Sequence, residues 1–442
     1  MSSEVIITGR KANGAIFEKT ISTNIQTLDL SWMELETVDL SPLRFCSQLH
    51  SLVLGRDIPF GTENHLTAVD LSPLQYCPQL RSLGLSGNQL AKLDFSPLKY
   101  SSQLQNVILS GKQLSTVDLT PLEYFSQLRS LILFGNELET LDLSLLKHYL
   151  LLESLVLVGH QLETLDLTPL DHCSQLQNLD LTLNQMETLD LTPLEHCFQL
   201  QSLVLSGNMW TRMDLAPLEQ CVRLQTLVLG SGLPLRRRND LMKLDLSPLG
   251  HCSQLKRLIL SGNQLKSIDL SPLSQCSQLQ NLDLSLNQLV TLDLSPLAQC
   301  PNFLSLYLFG NQLTKIDLSP LQNSSQLRAL YLGSVSPLSR GNQLTSVDLK
   351  PLAQCSQLQS LILSGNQIRE LDLSFLESCP DLDVLTLDSN QLTRLNITPL
   401  FSCGHLRGLR IDNNVILEGN SEWQNQKLPK EIEKLRQWIN WR

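Results

Sequence analysis

The chain has 442 residues, a formal net charge of −10, 42% apolar residues and 17% charged ones. That is too apolar for a disordered segment and too acidic for a general nucleic-acid binder. No apolar run approaches the ~18 residues of a membrane-spanning helix.

The first residues, Met1-Ser-Ser-Glu-Val-Ile-Ile-Thr, hold only three consecutive apolar positions. They do not form the apolar core of a secretory leader, so a cytoplasmic location with reduced thiols is expected. Residues 1–24 read as an N-terminal β cap, with Val5-Ile6-Ile7 and Ala15-Ile16-Phe17 suiting a hairpin over the first coil of an array.

From residue 25 to 414 one period organises the sequence. Leu-Asp-Leu, or its Val and Ile variants, recurs with Asp at 39, 70, 94, 118, 142, 166, 190, 214, 245, 269, 293, 317, 348 and 372, and continues at Asn396. Eleven of the 14 intervals are 24 residues and three are 31. A period in the 20s marks a solenoid, which explains why leucine fills 104 positions. A clean unit begins Leu80-x-x-Leu83-x-Leu85-x-x-Asn88-x-Leu90. Leu83 and Leu85 alternate as in a short strand with one buried face.

The second half of the unit reads Leu-Asp-Leu-Ser-Pro-Leu-x-x-Cys. Ser or Thr before Pro suggests an N-cap followed by Pro at the first helical position, and 13 of the 20 prolines stand there. Each Asp can accept the backbone N–H two residues on, as in an Asx-turn. All 11 cysteines lie seven residues after the Asp, from Cys46 to Cys403; Ser101, Phe125, Tyr149 and Ser324 fill the other four units. Phe and Tyr substitute for Cys at an inward packing site and not at a bridge, so buried free thiols are expected. Spacing of 24 residues supplies no metal cluster.

These motifs resemble the leucine-rich repeat superfamily over nearly the whole chain. The resemblance implies an α/β solenoid, a right-handed horseshoe or superhelix. Its parallel concave β-sheet would have about 16 strands, with short helical turns on the convex side. It also implies that Asn88, Asn136, Asn184, Asn208, Asn263, Asn287, Asn311, Asn366 and Asn390 form a ladder satisfying buried backbone, weakened at Met33, Lys112 and His160. The run Cys77-Pro-Gln-Leu80 is similar to the subclass found beside F-box domains. The second cysteine of that subclass is absent, so no ubiquitin-ligase role carries over.

Three units carry seven extra residues between strand and asparagine, at 55–63, 230–238 and 333–341. Each insertion has Gly at its start and a Pro, which suits turn-rich loops on one rim of the concave face. The middle one holds Arg236, Arg237 and Arg238, a candidate contact for a carboxylate or phosphate. Residues 415–442 read as a C-terminal cap with a helix carrying Ile432, Leu435, Trp438 and Ile439 on one side.

The residue between the second and third strand leucines should point out of the concave sheet. Two residues later come mostly Ser or Gly, with Phe134, Val158 and Phe309 as exceptions, so two clusters are unusually apolar: Ile132, Phe134, Val156 and Val158, and then Tyr307, Phe309 and Tyr331. Exposed apolar patches mark interaction sites, and aromatics dominate interface hot spots. A convex row, Phe45, Tyr76, Tyr100, Tyr124, His148, His172 and His196, precedes the cysteine position; its rings suit stacking more than metal binding. No nucleophile motif or phosphate loop occurs, so neither an enzyme nor a cofactor is expected. The expectation is a monomeric protein–protein interaction module that binds through the concave sheet and rim loops. Two alternatives are a regulatory or inhibitory subunit of an enzyme, and receptor-like binding of a glycan or anionic ligand. No nucleic acid, membrane span or metal is expected.

Overall fold

The computed structural model describes residues 3–55, 64–111, 114–230, 239–335 and 341–442, and falls into two compact units, Met1–Met209 and Trp210–Arg442. The first unit contains β1 (Glu4–Lys11), β2 (Ile16–Ser22), β3 (Thr27–Asp29), β4 (Leu35–Asp39), β5 (Ser51–Val53), β6 (Ser82–Gly84), β7 (Asn106–Ser110), β8 (Ser130–Phe134), β9 (Ser154–Val158), β10 (Asn178–Asp180) and β11 (Ser202–Val204). The second contains β12 (Thr226–Val228), β13 (Arg257–Ile259), β14 (Asn281–Asp283), β15 (Ser305–Tyr307), β16 (Ala329–Tyr331), β17 (Ser360–Ile362), β18 (Val384–Thr386), β19 (Arg394–Asn396), β20 (Gly408–Arg410), β21 (Ile416–Gly419) and β22 (Ile439–Trp441). Parallel pairing joins β3 and β5–β11 in the first unit, and β12–β18 and β20 in the second. Among the described residues that makes sixteen strands in these ladders, eight in each unit. Consecutive coils stack in register, as at Leu282↔Leu306 and Leu306↔Leu330.

Each coil buries its repeat leucines. In the coil of β14, Leu282, Leu284 and Leu289 have no exposure, and Leu294 has 2%. Because strand side chains alternate, the residues flanking the buried leucine, here Asn281 and Asp283, lie on the open face of the sheet. After the strand an asparagine turns the chain. Asn287 donates from Nδ2 to the Leu284 and Leu260 carbonyls, each at 3.0 Å, and its Oδ1 accepts from the Leu265 N–H at 3.1 Å. Asn64, Asn239 and Asn342, which follow the insertions, take the same position. Asn342 donates to the Leu308 carbonyl at 2.9 Å and the Leu332 carbonyl at 2.7 Å. Gly55 and Gly230 open two insertions where a Cβ would stand 1.9 Å from the Ser86 carbonyl oxygen and 2.0 Å from that of Ser261. No side chain fits there.

The far side of each coil is a five-residue 3-10 turn, such as Ser271–Gln275. Its start corrects the expectation that Ser or Thr is the cap. The capping residue is the leucine before it, Leu270, and Ser271 is already inside the turn. The Asp two residues earlier does the capping: Asp269 Oδ1 accepts the Ser271 N–H at 2.8 Å. The same bond, at 2.8 to 3.0 Å, recurs at every rung from Asp39 to Asn396. The Ser hydroxyl donates back to the carboxylate, as Ser271 does at 2.6 Å, while the Leu273 N–H, which a capping Ser would bind, goes to the Leu270 carbonyl at 2.9 Å.

The eleven cysteines are free and buried. Beyond the first coil their thiols point along the stack at carbonyls of the coil before, as where Cys276 Sγ lies 3.3 Å from the Leu249 oxygen and Cys77 Sγ 3.5 Å from that of Leu43. Tyr149 replaces the thiol with a hydroxyl that donates to the Leu122 carbonyl at 2.8 Å. Burial pushes the Cys173 and Cys276 thiols up to about 12.

At the N-terminus β1 pairs antiparallel with β2 and with β4, and Ile7, Phe17 and Ile21 are buried beneath. The C-terminal segment departs from the expected helix. Only Lys430–Glu433 is α-helical, and Arg436–Trp438 forms a separate 3-10 turn. Ile439 then enters β22, which pairs parallel with β21, while Trp438 is 62% exposed. Two interactions break the helical period. Arg436 donates to the carbonyls of Gln424 and Gln426, and Trp441 packs 5.9 Å from the Phe401 ring.

Candidate functional site

In the second unit, β13 to β16 place four pairs of side chains on the open face: Arg257 and Ile259, Asn281 and Asp283, Ser305 and Tyr307, Ala329 and Tyr331. The small residues Ser305 and Ala329 leave space beside the two tyrosines. The rings of Tyr307 and Tyr331 meet edge to face, with centroids 4.8 Å apart and an interplanar angle of 84°. This arrangement matches the aromatic quadrupoles. The Tyr331 hydroxyl accepts from Ser360 Oγ at 3.2 Å. Tyr307, Phe309, Tyr331, Ile259 and Val335 form the apolar part of a hollow of about 520 Å³; Arg257, Asn281 and Asp283 form its polar part.

Electrostatics differ across this hollow. Asp283 is 8% exposed and accepts from the Ser285 N–H at 2.9 Å and Ser285 Oγ at 2.6 Å. Burial raises its carboxyl pKa, and the Ser285 bonds and the Arg257 charge pull the other way. Tyr307 is likewise pushed up, chiefly by burial. Arg257 is exposed, and among the described residues it has no ion pair.

The expected residues are therefore brought together at one place, with one correction. Tyr307 and Tyr331 are half-buried, but Phe309 is only 7% exposed and serves as floor. In the first unit, Ile132 faces Val156 and Phe134 faces Val158 across β8 and β9. There too the expected exposure is reduced: Val156 is 8% exposed and the other three are half-buried, because neighbours on adjacent strands cover one another. Arg236, Arg237 and Arg238 lie outside the described residues, as do most of the three insertions. Phe45, Tyr76 and Tyr100 are exposed on the 3-10 side, with the Arg44 guanidinium 4.7 Å from the Phe45 ring centroid and Lys99 Nζ 5.0 Å from that of Tyr100. The Tyr124 side chain lies outside the described set. His148, His172 and His196 are exposed, and His196 Nδ1 stands 3.7 Å from Asp171. Among the described residues no three His, Cys, Asp or Glu side chains converge as metal ligands. No described helix is long and apolar enough to cross a membrane.

Sequence reasoning did not single out Arg257 and Asn281. The signal was the period of two: the residue before the second strand leucine shares the open face with the one after it.

A family model described as leucine rich repeat matches residues 253–313 and 356–416. With the stacked parallel strands and 3-10 turns, this decides the repeat type and fold. The chain is a leucine-rich repeat protein. No curated protein matches the sequence. Solved structures do share the fold of this leucine-rich repeat chain. A leucine-rich repeat protein of Leptospira interrogans is 24% identical, with 84% of this chain and 91% of that one covered and a TM-score of 0.70. The functional domain of InlJ from Listeria monocytogenes, described as including a cysteine ladder, is 24% identical over 91% of this chain and 75% of that one, with a TM-score of 0.59. The plant peptide hormone receptor RGFR1, solved in complex with RGF2, is 18% identical over 93% of this chain and 72% of that one, with a TM-score of 0.60. Leucine-rich repeat folds serve in general as protein-binding modules.

Proposed function

We propose that this leucine-rich repeat protein is a non-catalytic binding protein that engages a protein partner through the open face of its parallel strands. Tyr307, Phe309 and Tyr331 are the anchors in the second unit, and Ile132, Phe134, Val156 and Val158 form an apolar face in the first. The observation that carries the reading is the edge-to-face tyrosine pair in a hollow of about 520 Å³. Two half-buried rings held by their neighbours lose little freedom on binding and offer a large apolar area. The likeness to a receptor solved with a peptide supports a peptide segment as the bound element. The same reading has the protein acting as a monomer in the cytoplasm. Eleven unbridged thiols suit that compartment.

The test pans a displayed library of random peptides against the full chain and against a Tyr307→Asp/Tyr331→Asp variant. Phe309 is left intact because it is part of the floor. Circular dichroism and thermal melting establish that the variant stays folded. Selected peptides should bind the variant about tenfold or more weakly. Equal binding to both proteins would refute the assignment of the site.

A further inference from the structure

The charge in the hollow points to the chemistry of what sits there. Among the described residues of the second unit, two arginines stand on the open face of the sheet, and they differ. Arg410 on β20 is internally satisfied: Nε lies 3.1 Å from Asp388 Oδ1, and Nη2 donates to Ser364 Oγ at 3.4 Å. Arg257 on β13 is exposed, and among the described residues no carboxylate lies within ion-pair distance of it. Register places Arg257 beside Asn281, and Asn281 beside Ser305. The guanidinium therefore starts two strands from Tyr307 and three from Tyr331, about 10 Å or more at the usual strand spacing. Its charge is felt at both Tyr307 and Asp283.

Asp283 does not complete the pair. It is nearly buried, and its Oδ1 is turned to the Ser285 N–H and hydroxyl. Nor does Asn281 supply an anion; its Nδ2 donates to Ser305 Oγ. The hollow thus has an aromatic end at Tyr307 and Tyr331 and an unpaired planar cation at its lip. A guanidinium in this setting offers two parallel N–H donors, which match a carboxylate edge. On a chain with a net charge of −10, one unpaired arginine beside an aromatic floor is a local exception to the surrounding field.

We infer that the peptide segment seated on Tyr307 and Tyr331 carries an apolar or aromatic side chain beside a carboxylate, and that the carboxylate faces Arg257. This rests on the reading of the site given above. The aromatic contact supplies most of the burial, and the carboxylate fixes direction along the sheet.

The experiment uses peptides selected from the displayed library against the full chain, with Arg257→Glu and Arg257→Gln variants beside the tyrosine double variant. Arg257 is exposed, so its variants should melt with the wild type. Selected sequences should carry Asp or Glu next to an aromatic or Leu residue. Exchanging that acid for its amide should weaken binding to the wild type about tenfold, the effect of one lost charge-assisted contact. The Arg257→Gln variant should no longer distinguish acid from amide, and Arg257→Glu should prefer peptides with Lys in place of the acid. Peptides that need the tyrosines yet bind equally as acid or amide would overturn the inference and leave the site standing. Peptides indifferent to the tyrosine double variant would remove the site itself, and the inference with it.

Discussion

Replacing His160 by Asn tests the ladder where its chemistry departs from the rest. His160 is 3% exposed; its Nδ1 stands 3.2 Å from the Asn136 carbonyl oxygen, and Nε2 is buried without a partner. The Asn136 side chain is also without a partner on both amide atoms. Asn184, one coil further, donates to the Leu157 carbonyl at 2.8 Å and the Leu181 carbonyl at 2.9 Å. The introduced amide has the equivalent Leu133 and Leu157 carbonyls and the Leu138 N–H available. Two or three bonds at about 1 kcal/mol each, less about 1 kcal/mol of imidazole packing, give a gain of about 1–2 kcal/mol at neutral pH.

The pH dependence of this substitution has a definite sign. Burial lowers the His160 pKa against the pull of the Asn136 carbonyl. The unfolded chain then binds more protons below about pH 6.5, so wild-type stability falls as pH drops from there toward the folded pKa. The loss is at most about 1.4 kcal/mol at one unit below the unfolded value, and His160→Asn abolishes it. The Asp rungs do not interfere, since the Ser and Thr bonds at Asp166, Asp190 and Asp269 hold these carboxyls below the usual range. Because repeat arrays need not unfold in one step, the assay is amide hydrogen exchange in β8 and β9, with urea titration beside it, at about pH 7.5 and 5.5. The same pH slope in wild type and variant would refute the reasoning.

Two further predictions concern the cysteine row. With Cys173 and Cys276 pushed up to about 12 and fully buried, the native chain should react with maleimide far more slowly than the urea-unfolded chain; rapid native labelling of either residue would contradict the packing. Tyr149→Phe removes a buried hydroxyl while the Leu122 carbonyl keeps its bond from the Phe125 N–H, so it should cost about 0.5–1.5 kcal/mol in chemical denaturation, and a cost near zero would mean the hydroxyl bond adds nothing.

What could be read in the sequence follows from what repetition averages. The buried leucines, the cysteine row and the Asp-to-N–H bond recur at one spacing, so each coil repeats the same physical constraint, and Phe125 or Tyr149 in place of Cys identifies an inward site. The Ser/Thr-Pro pair was misplaced by one residue because Asp and Ser both have capping side chains, and here the Asp carboxylate takes the Ser N–H while the Leu270 carbonyl takes the Leu273 N–H. The C-terminal segment has no second copy to average over. There the helical period of Ile432, Leu435 and Trp438 is overridden by Arg436 binding two backbone carbonyls and by the edge that β21 offers. At the candidate site the tyrosines stood out by residue type. Whether Phe309 faces solvent depends on the side chains of neighbouring strands, which one strand's sequence does not contain.

The apolar face of the first unit and the irregular part of its ladder coincide, and the geometry connects them. The described strands of that unit's parallel sheet are three residues long except β7, β8 and β9, which are five. These are the strands followed by Lys112, by the unpartnered Asn136 and by His160. A ladder asparagine draws its bonds from carbonyls at the end of the strand and turns the chain away from it. Without that pull the ladder of backbone bonds continues for two more residues, to Leu133↔Leu157 and Phe134↔Val158. Phe134 and Val158 thereby become open-face residues above Ile132 and Val156, and their cross-strand contacts replace part of what the asparagine bonds supply elsewhere. Restoring asparagine at 160 should therefore shorten β9 as well as stabilise the turn. The stability gained would come with a smaller apolar face on β8 and β9, so the rung at His160 and the candidate binding surface are coupled.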